Sequence, residues 1–213
     1  DMNVTFDDNA VKEYIQSLAA KYDTKGKERT FTSASGNTVT VSGGSYGWKI
    51  DQNAEYNALI ANIQNAETVT REPNYSSRAG NDVGNTYAEV NLTTQHMYYV
   101  KDGQIALETD VVTGNPNKGN DTPTGVYSLA YKAKDQTLRG TKKADGTYEY
   151  ETPVKYWMPF NGGVGFHDAS WQPTFGGSRY LTNGSHGCVN MPPEMAAKLF
   201  DLISAGTPVV VHN

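Results

Sequence analysis

Apolar residues recur at helical spacing in three places along the chain and alternate with polar ones almost everywhere else. After Asp7-Asp8-Asn9, which offers an N-cap, Val11, Tyr14, Ile15, Leu18 and Tyr22 fall on one helical face. Tyr56, Leu59, Ile60 and Ile63 repeat that spacing and predict a second helix. Pro192-Pro193 opens a third, with Met195, Ala196, Leu199, Leu202 and Ile203 on its stripe and Gly206 to close it. Elsewhere the period is two. Phe31, Val39 and Val41 are separated by small polar residues, with turns at Gly36-Asn37 and Gly43-Gly44. Residues 97–100 and 104–112 flank Lys101-Asp102-Gly103, and Asp-Gly between apolar runs predicts a hairpin. Asp145-Gly146 marks a second hairpin, with residues 147–150 leaving it. Pro123-Thr124-Gly125 leads into a strand over 126–131, and residues 208–211 form a last one.

This pattern divides the chain. Residues 71–85 are polar, contain glycine and show no period, so they read as a linker with a boundary near Thr86. Residues 1–86 are expected to form a small α+β domain, and residues 87–213 a mostly β domain with one helix. The 21 glycines and 14 tyrosines fit a strand-and-turn protein. In 213 residues there is no apolar run of the roughly 18 needed to span a membrane. No basic head followed by an apolar run opens the chain either. Asp1-Met2-Asn3 reads as a cut inside a longer protein, so any membrane anchor is expected outside this stretch. Lys and Arg number 18 against 23 Asp and Glu, a formal charge of −5. With no basic cluster, nucleic acid is a poor partner.

The chain has one cysteine, Cys188. That excludes an intrachain disulfide framework and a Cys-rich zinc site. Its neighbours, Ser185-His186-Gly187-Cys188-Val189-Asn190, give it chemistry. Gly187 permits an unusual backbone conformation, so the amides of Gly187 and Cys188 are candidates to point at one oxygen, as an oxyanion hole requires. A thiol near its free pKa of roughly 8.5 needs a base to become a strong nucleophile. Four histidines are available: His96, His167, His186 and His212. His96 and His212 sit in unpromising contexts, a turn before a strand and the end of a valine run. His186 adjoins Cys188 and is placed to shape the site. His167 follows the glycine-rich run Gly162-Gly163-Val164-Gly165-Phe166 that lets a side chain reach a cleft, and Asp168 comes next. A Cys/His pair with backbone donors is an acyl-transfer site. No phosphate-binding glycine motif occurs, so no nucleotide cofactor is implied, and neither is a metal. Trp171, Tyr131, Tyr156 and Trp157 are candidates for either a groove or the core, and Arg179 for meeting a carboxylate.

His167, seventeen intervening residues, and then Ser185-His186-Gly187-Cys188-Val189-Asn190 resemble the signature of the L,D-transpeptidase (YkuD-like) catalytic domain. The hairpin region 90–112 and Thr122-Pro123-Thr124-Gly125-Val126-Tyr127 resemble segments that precede that signature in the family. The resemblance covers about residues 87–213. Residues 1–86 resemble the accessory domain of some Gram-positive, in particular enterococcal, members. The resemblance implies a mixed β-sandwich with a capping helix and no cofactor. It implies Cys188 as nucleophile, His167 as general base and acid, and either Asp168 or a backbone carbonyl orienting the imidazole. Gly187, His186, Ser185 and Asn190 would support the site. The implied partners are peptidoglycan tetrapeptide stems, as donor and acceptor of a 3→3 cross-link with loss of terminal D-Ala, and carbapenems as inhibitors. The implied location is the extracellular face of a bacterial cell, in the wall or anchored to the membrane. Two rivals stand beside this reading: an L,D-carboxypeptidase with water as acceptor, and a non-enzymatic wall-binding module.

Overall fold

The computed structural model describes residues 5–80 and 82–213, so Asp1-Met2-Asn3 lies outside the described residues. The chain divides into two compact units, Asp1–Lys27 with Tyr46–Asp82, and Glu28–Ser45 with Val83–Asn213.

In the first unit, α1 (Asp8–Tyr22) starts where Asp7 accepts the amides of Asn9 and Ala10, which otherwise have no partner in a helix's first turn. It buries Val11, Ile15 and Ala19, a stripe at i, i+4 and i+8, while Tyr14 and Tyr22 are exposed. α2 (Gln52–Gln64) is capped by Asp51, and its buried side chain is Glu55, not an apolar residue. Glu55 is held by both terminal nitrogens of Arg71 at 2.8 and 3.0 Å and by the amide and side chain of Asn74. Burial alone would raise the Glu55 carboxyl; these partners hold it below its ordinary value. Residues 71–78 are therefore not aperiodic coil. Arg71 clamps α2, and β4 (Tyr75–Arg78) pairs antiparallel with β3 (Trp48–Ile50).

The second unit is built on two sheets. β5 (Tyr87–Asn91), β6 (His96–Lys101), β7 (Gln104–Asp110), β8 (Gly125–Ser128) and β13 (Pro208–His212) form one, in the order β7-β6-β5-β13-β8. β9 (Ala133–Arg139), β10 (Glu151–Asn161), β11 (Val164–Asp168) and β12 (Val189–Met191) form the other, in the order β12-β11-β10-β9. Asp102 and Gly103 both take positive φ between β6 and β7, the turn that matches strand twist. One buried cluster joins Val90, Met97 and Val211 of the first sheet to Met158, Phe166 and Met191 of the second. After the single turn α3 (Tyr180–Asn183), α4 (Pro193–Leu202) adds Ala196 and Leu199 to this cluster, with Ile203 just beyond. This is the mixed sandwich with a packed helix that the family resemblance implies.

β13 is buried along its whole length because it is central and covered on both faces. The hairpin of β1 (Arg29–Thr32) and β2 (Thr38–Val41) falls within this unit, although the sequence leaves it among the first 86 residues. Phe31 packs on Tyr87 and His212 at 5.1 and 6.2 Å. Beneath it Glu89 is fully buried, accepting from the Ala34 amide, the Ser33 hydroxyl and His212 Nε2.

Candidate active site

β11 and β12 run parallel, and their register sets His167 beside Asn190. Two residues before Asn190, the Ser185–Cys188 turn leads the chain into β12. Gly187 takes φ +130°, and a Cβ there would approach Val164 to 3.2 Å, so the turn needs glycine. Its shape is fixed from behind. The Thr122 hydroxyl, itself buried, donates to the Gly187 carbonyl at 2.7 Å and accepts the Gly114 amide at 3.0 Å. The Ser185 amide donates to the Thr113 carbonyl, and the Ser185 carbonyl accepts from Asn115. Thr113 is held in turn by both ends of the Gln95 amide. Sequence reasoning named Ser185 as a support but assigned no such role to Thr122, Thr113 or Gln95. A buried threonine looks like any other until its two partners come from distant segments.

Cys188 and His167 line one cleft of about 240 Å³. Leu138, Tyr150 and Thr152 line it from the β9–β10 hairpin, Trp171, Gln172 and Asn183 from the segment between β11 and β12. The Cys188 thiol donates to the Gly163 carbonyl at 3.3 Å, the carbonyl being presented by the Gly162-Gly163 turn between β10 and β11. Burial pushes the thiol up to about 11, against the opposing pull of the Gly165 amide. His167 is buried, and burial pushes its imidazole below the ordinary value, only partly opposed by the Asp168 carbonyl and carboxylate. Its Nδ1 lies 2.8 Å from the main-chain carbonyl of Asp168. A carbonyl only accepts, so Nδ1 carries the proton of the neutral ring and Nε2 is left as the acceptor. The resting pair is thus a neutral thiol and a neutral imidazole.

One open alternative closes here and one expectation changes. The Asp168 carboxylate does not hold the imidazole; its Oδ1 accepts the amides of Lys155 and Tyr156 at 2.8 Å each, while the residue's own carbonyl meets Nδ1. The Gly187 amide does not point toward a shared oxygen with that of Cys188; it donates to the Ser185 hydroxyl at 3.1 Å. The Ser185 hydroxyl in turn donates a hydrogen bond to the Cys188 carbonyl at 2.6 Å. Among the described residues, the amides of His186 and Cys188 make no hydrogen bond, and these are the donors the turn leaves unused.

The other candidates separate. His186 is exposed and stacks on Tyr150, ring centroids 4.3 Å apart. Asn190 is buried at the cleft, its Oδ1 without a partner. Arg179 donates to Gln172 at 2.6 Å. Trp157 is in the core and Trp171 is half exposed at the cleft. His96 and His212 pair with Asp110 and Glu89, away from the cleft.

Residues 85–211 match the family described as the L,D-transpeptidase catalytic domain (YkuD), and residues 1–71 match a putative peptidoglycan binding domain. A crystal structure of an Enterococcus faecium L,D-transpeptidase carrying a cysteine-to-serine mutation is 41% identical, with a TM-score of 0.82. That match covers 100% of this chain and 85% of the other. The Ldtfm–avibactam carbamoyl enzyme is 42% identical over 100% of this chain and 83% of its own, again at TM-score 0.82. The catalytic domain of the E. faecium enzyme acylated by ertapenem is 52% identical over 60% of this chain and 97% of its own, at TM-score 0.53. Among curated sequences, L,D-transpeptidase 1 of Mycobacterium tuberculosis is 26% identical over 62% of this chain. The chain spans about half the length of that relative, 53%. With 127 of its 213 residues matched to the catalytic domain and its whole length matched in fold, the chain belongs to the L,D-transpeptidase family.

Proposed function

We propose that this protein cross-links peptidoglycan stems through an acyl-enzyme at Cys188. The observation that carries this reading is the placement of a thiol and a buried, singly anchored imidazole in one cleft, with Nε2 free to accept a proton. His167 takes the thiol proton at Nε2. The sulfur attacks the carbonyl of the third stem residue, and the negative oxygen is met by the Cys188 amide. His167 returns the proton to the leaving nitrogen of terminal D-Ala. The side-chain amine of a second stem then attacks the thioester, its proton passing to His167, which gives a 3→3 link and restores the thiol. Asp168 serves through its carbonyl, fixing the tautomer, and Ser185 serves by shaping the turn. Residues 1–71, which match a putative peptidoglycan binding domain, hold the polymer, and the protein works at the cell wall. β-Lactams of the carbapenem class acylate the same sulfur, as the ertapenem-acylated relative suggests.

Incubation with a disaccharide-tetrapeptide tests the reaction. Loss of D-Ala together with a dimer mass is expected, and both disappear in Cys188→Ala. Loss of D-Ala without a dimer would make water the acceptor and the protein an L,D-carboxypeptidase. No change in mass would leave only a wall-binding module.

A further inference from the structure

The imidazole of His167 faces a charging problem. It is 3% exposed, and the groups that would welcome a positive charge on it are few. The carboxylate of Asp168 is turned to the β10 amides. The titratable groups that share its cleft are Cys188, Tyr150 and His186; Arg179 reaches the cleft wall only through Gln172. β10 places Trp157 opposite His167 in register, and β12 places Asn190 beside it, neither of them charged. Yet proton transfer from the thiol makes an imidazolium in that pocket, and desolvation works against it.

Two indoles border the ring. Trp157 lies 6.1 Å from it, centroid to centroid, with its own N–H donated toward the Tyr131 hydroxyl at 3.3 Å. Trp171 lies 5.8 Å away at an interplanar angle of 33°, inside the range where an aromatic face attracts a cation. Trp157 is buried and belongs to the core. Trp171 is 48% exposed, so packing gives little reason for a tryptophan there. It lines the cleft, four residues after His167, on the irregular segment that follows β11.

We propose that Trp171 is a positioning residue that presents its indole to the imidazolium of His167 and stabilises the ion pair formed when the thiol proton moves. In that step the S–H bond of Cys188 breaks, the proton bonds to Nε2, and Nδ1–H stays on the Asp168 carbonyl. The positive charge spread over the ring then sits against the negative face of the indole. This inference rests on the Cys188–His167 reading of the site.

Alkylation of Cys188 by iodoacetamide tests it without any substrate. The thiolate displaces iodide, so the rate reports the thiolate fraction. Near pH 7 the thiolate exists as the ion pair with protonated His167. Above about pH 11, where the buried thiol ionises by itself, solvent hydroxide removes its proton while His167 stays neutral. In Trp171→Leu the rate near pH 7 should fall about threefold to thirtyfold, the span of a cation–π contact. The rate above about pH 11 should be unchanged. Trp171→Phe should lie between the two, because its ring keeps a weaker negative face. Turnover should follow, with kcat lowered more than KM is raised. His167→Gln is the control arm and should abolish the neutral-pH rate. If it does not, no ion pair forms, and both the pairing and the role of Trp171 fall. If it does, but Trp171→Leu leaves the pH profile intact or lowers both limbs equally, the pairing stands and the role of Trp171 is overturned. A rise in KM alone would make Trp171 a groove wall.

Discussion

At the scale of single residues, protonation decides the chemistry. Cys188 is pushed up by burial and His167 is pushed down by it, so neither is charged at rest. The base must be neutral to accept the thiol proton. With His167 as the proposed base, activity is therefore expected to survive as pH falls past the ordinary histidine value of 6.5 and to be lost only below it, where His167 protonates. Carbapenem acylation rates measured from neutral to acid pH should show that acid limb below 6.5; a limb above 6.5 would contradict it. Thr122 makes a second residue-scale case. Its hydroxyl serves two buried main-chain groups from segments that are far apart in sequence. Thr122→Val keeps the shape and orphans both, at a cost of about 1–3 kcal/mol. We expect a lower Tm together with slower acylation at Cys188. A lower Tm with full acylation rate would mean that the turn holds without it.

At the scale of elements, the β1–β2 hairpin is tied to the sheet by a buried charge. His212 donates from both ring nitrogens, Nε2 to Glu89 at 2.7 Å and Nδ1 to the Asn213 carbonyl at 2.9 Å, the arrangement of an imidazolium. Burial pulls His212 down, but Glu89 and the carbonyl raise it above 6.5. Burial pulls Glu89 up, but His212, the Ala34 amide and Ser33 hold it below 4.5. A raised histidine stabilises fully below its unfolded value and loses that contribution as pH climbs through its folded one. A lowered glutamate stabilises above its unfolded value and loses that as pH drops through its folded one. Both contributions are present between 4.5 and 6.5. Unfolding free energy should thus decline from about pH 6.5 upward, and the decline should vanish in His212→Gln. Urea titrations over that range check it. Breaking the pair from the other side, Glu89→Ala, should cost about 3–5 kcal/mol because it strands a buried cation.

At the scale of the whole molecule, the proposed function needs one reactive sulfur, and Cys188 is the one cysteine in the chain. A carbapenem opened by Cys188 keeps its nitrogen tethered to the acyl group, so the amine that should leave stays in place. One drug per chain should add to the intact mass and persist. Cys188→Ala should show no added mass; an adduct in that variant would move the acylated atom elsewhere. Limited proteolysis is a second check at this scale. Residues 71–78 are pinned by the Glu55–Arg71 clamp and by β4, so cutting there should be slow. In Arg71→Ala, with Glu55 left buried without its cation, it should speed up.

The sequence alone determined the local elements and the candidates for the reacting groups. Three apolar stripes became α1, α2 and α4, and Asp102-Gly103 became a hairpin turn, because periodicity and φ preference act within a few residues. One thiol and the spacing from His167 to Ser185-His186-Gly187-Cys188-Val189-Asn190 named the candidate chemistry, because few residue types can do it. Only the tertiary structure decided which groups serve that chemistry. It gave the imidazole to a carbonyl of Asp168 in place of its carboxylate and the Gly187 amide to Ser185. It also laid Trp171 against His167 and moved the β1–β2 hairpin into the second unit. Hydrogen bonds and ring contacts join whatever the sheets bring within a few ångströms, and that proximity is set by strand register between distant segments, which no local pattern records.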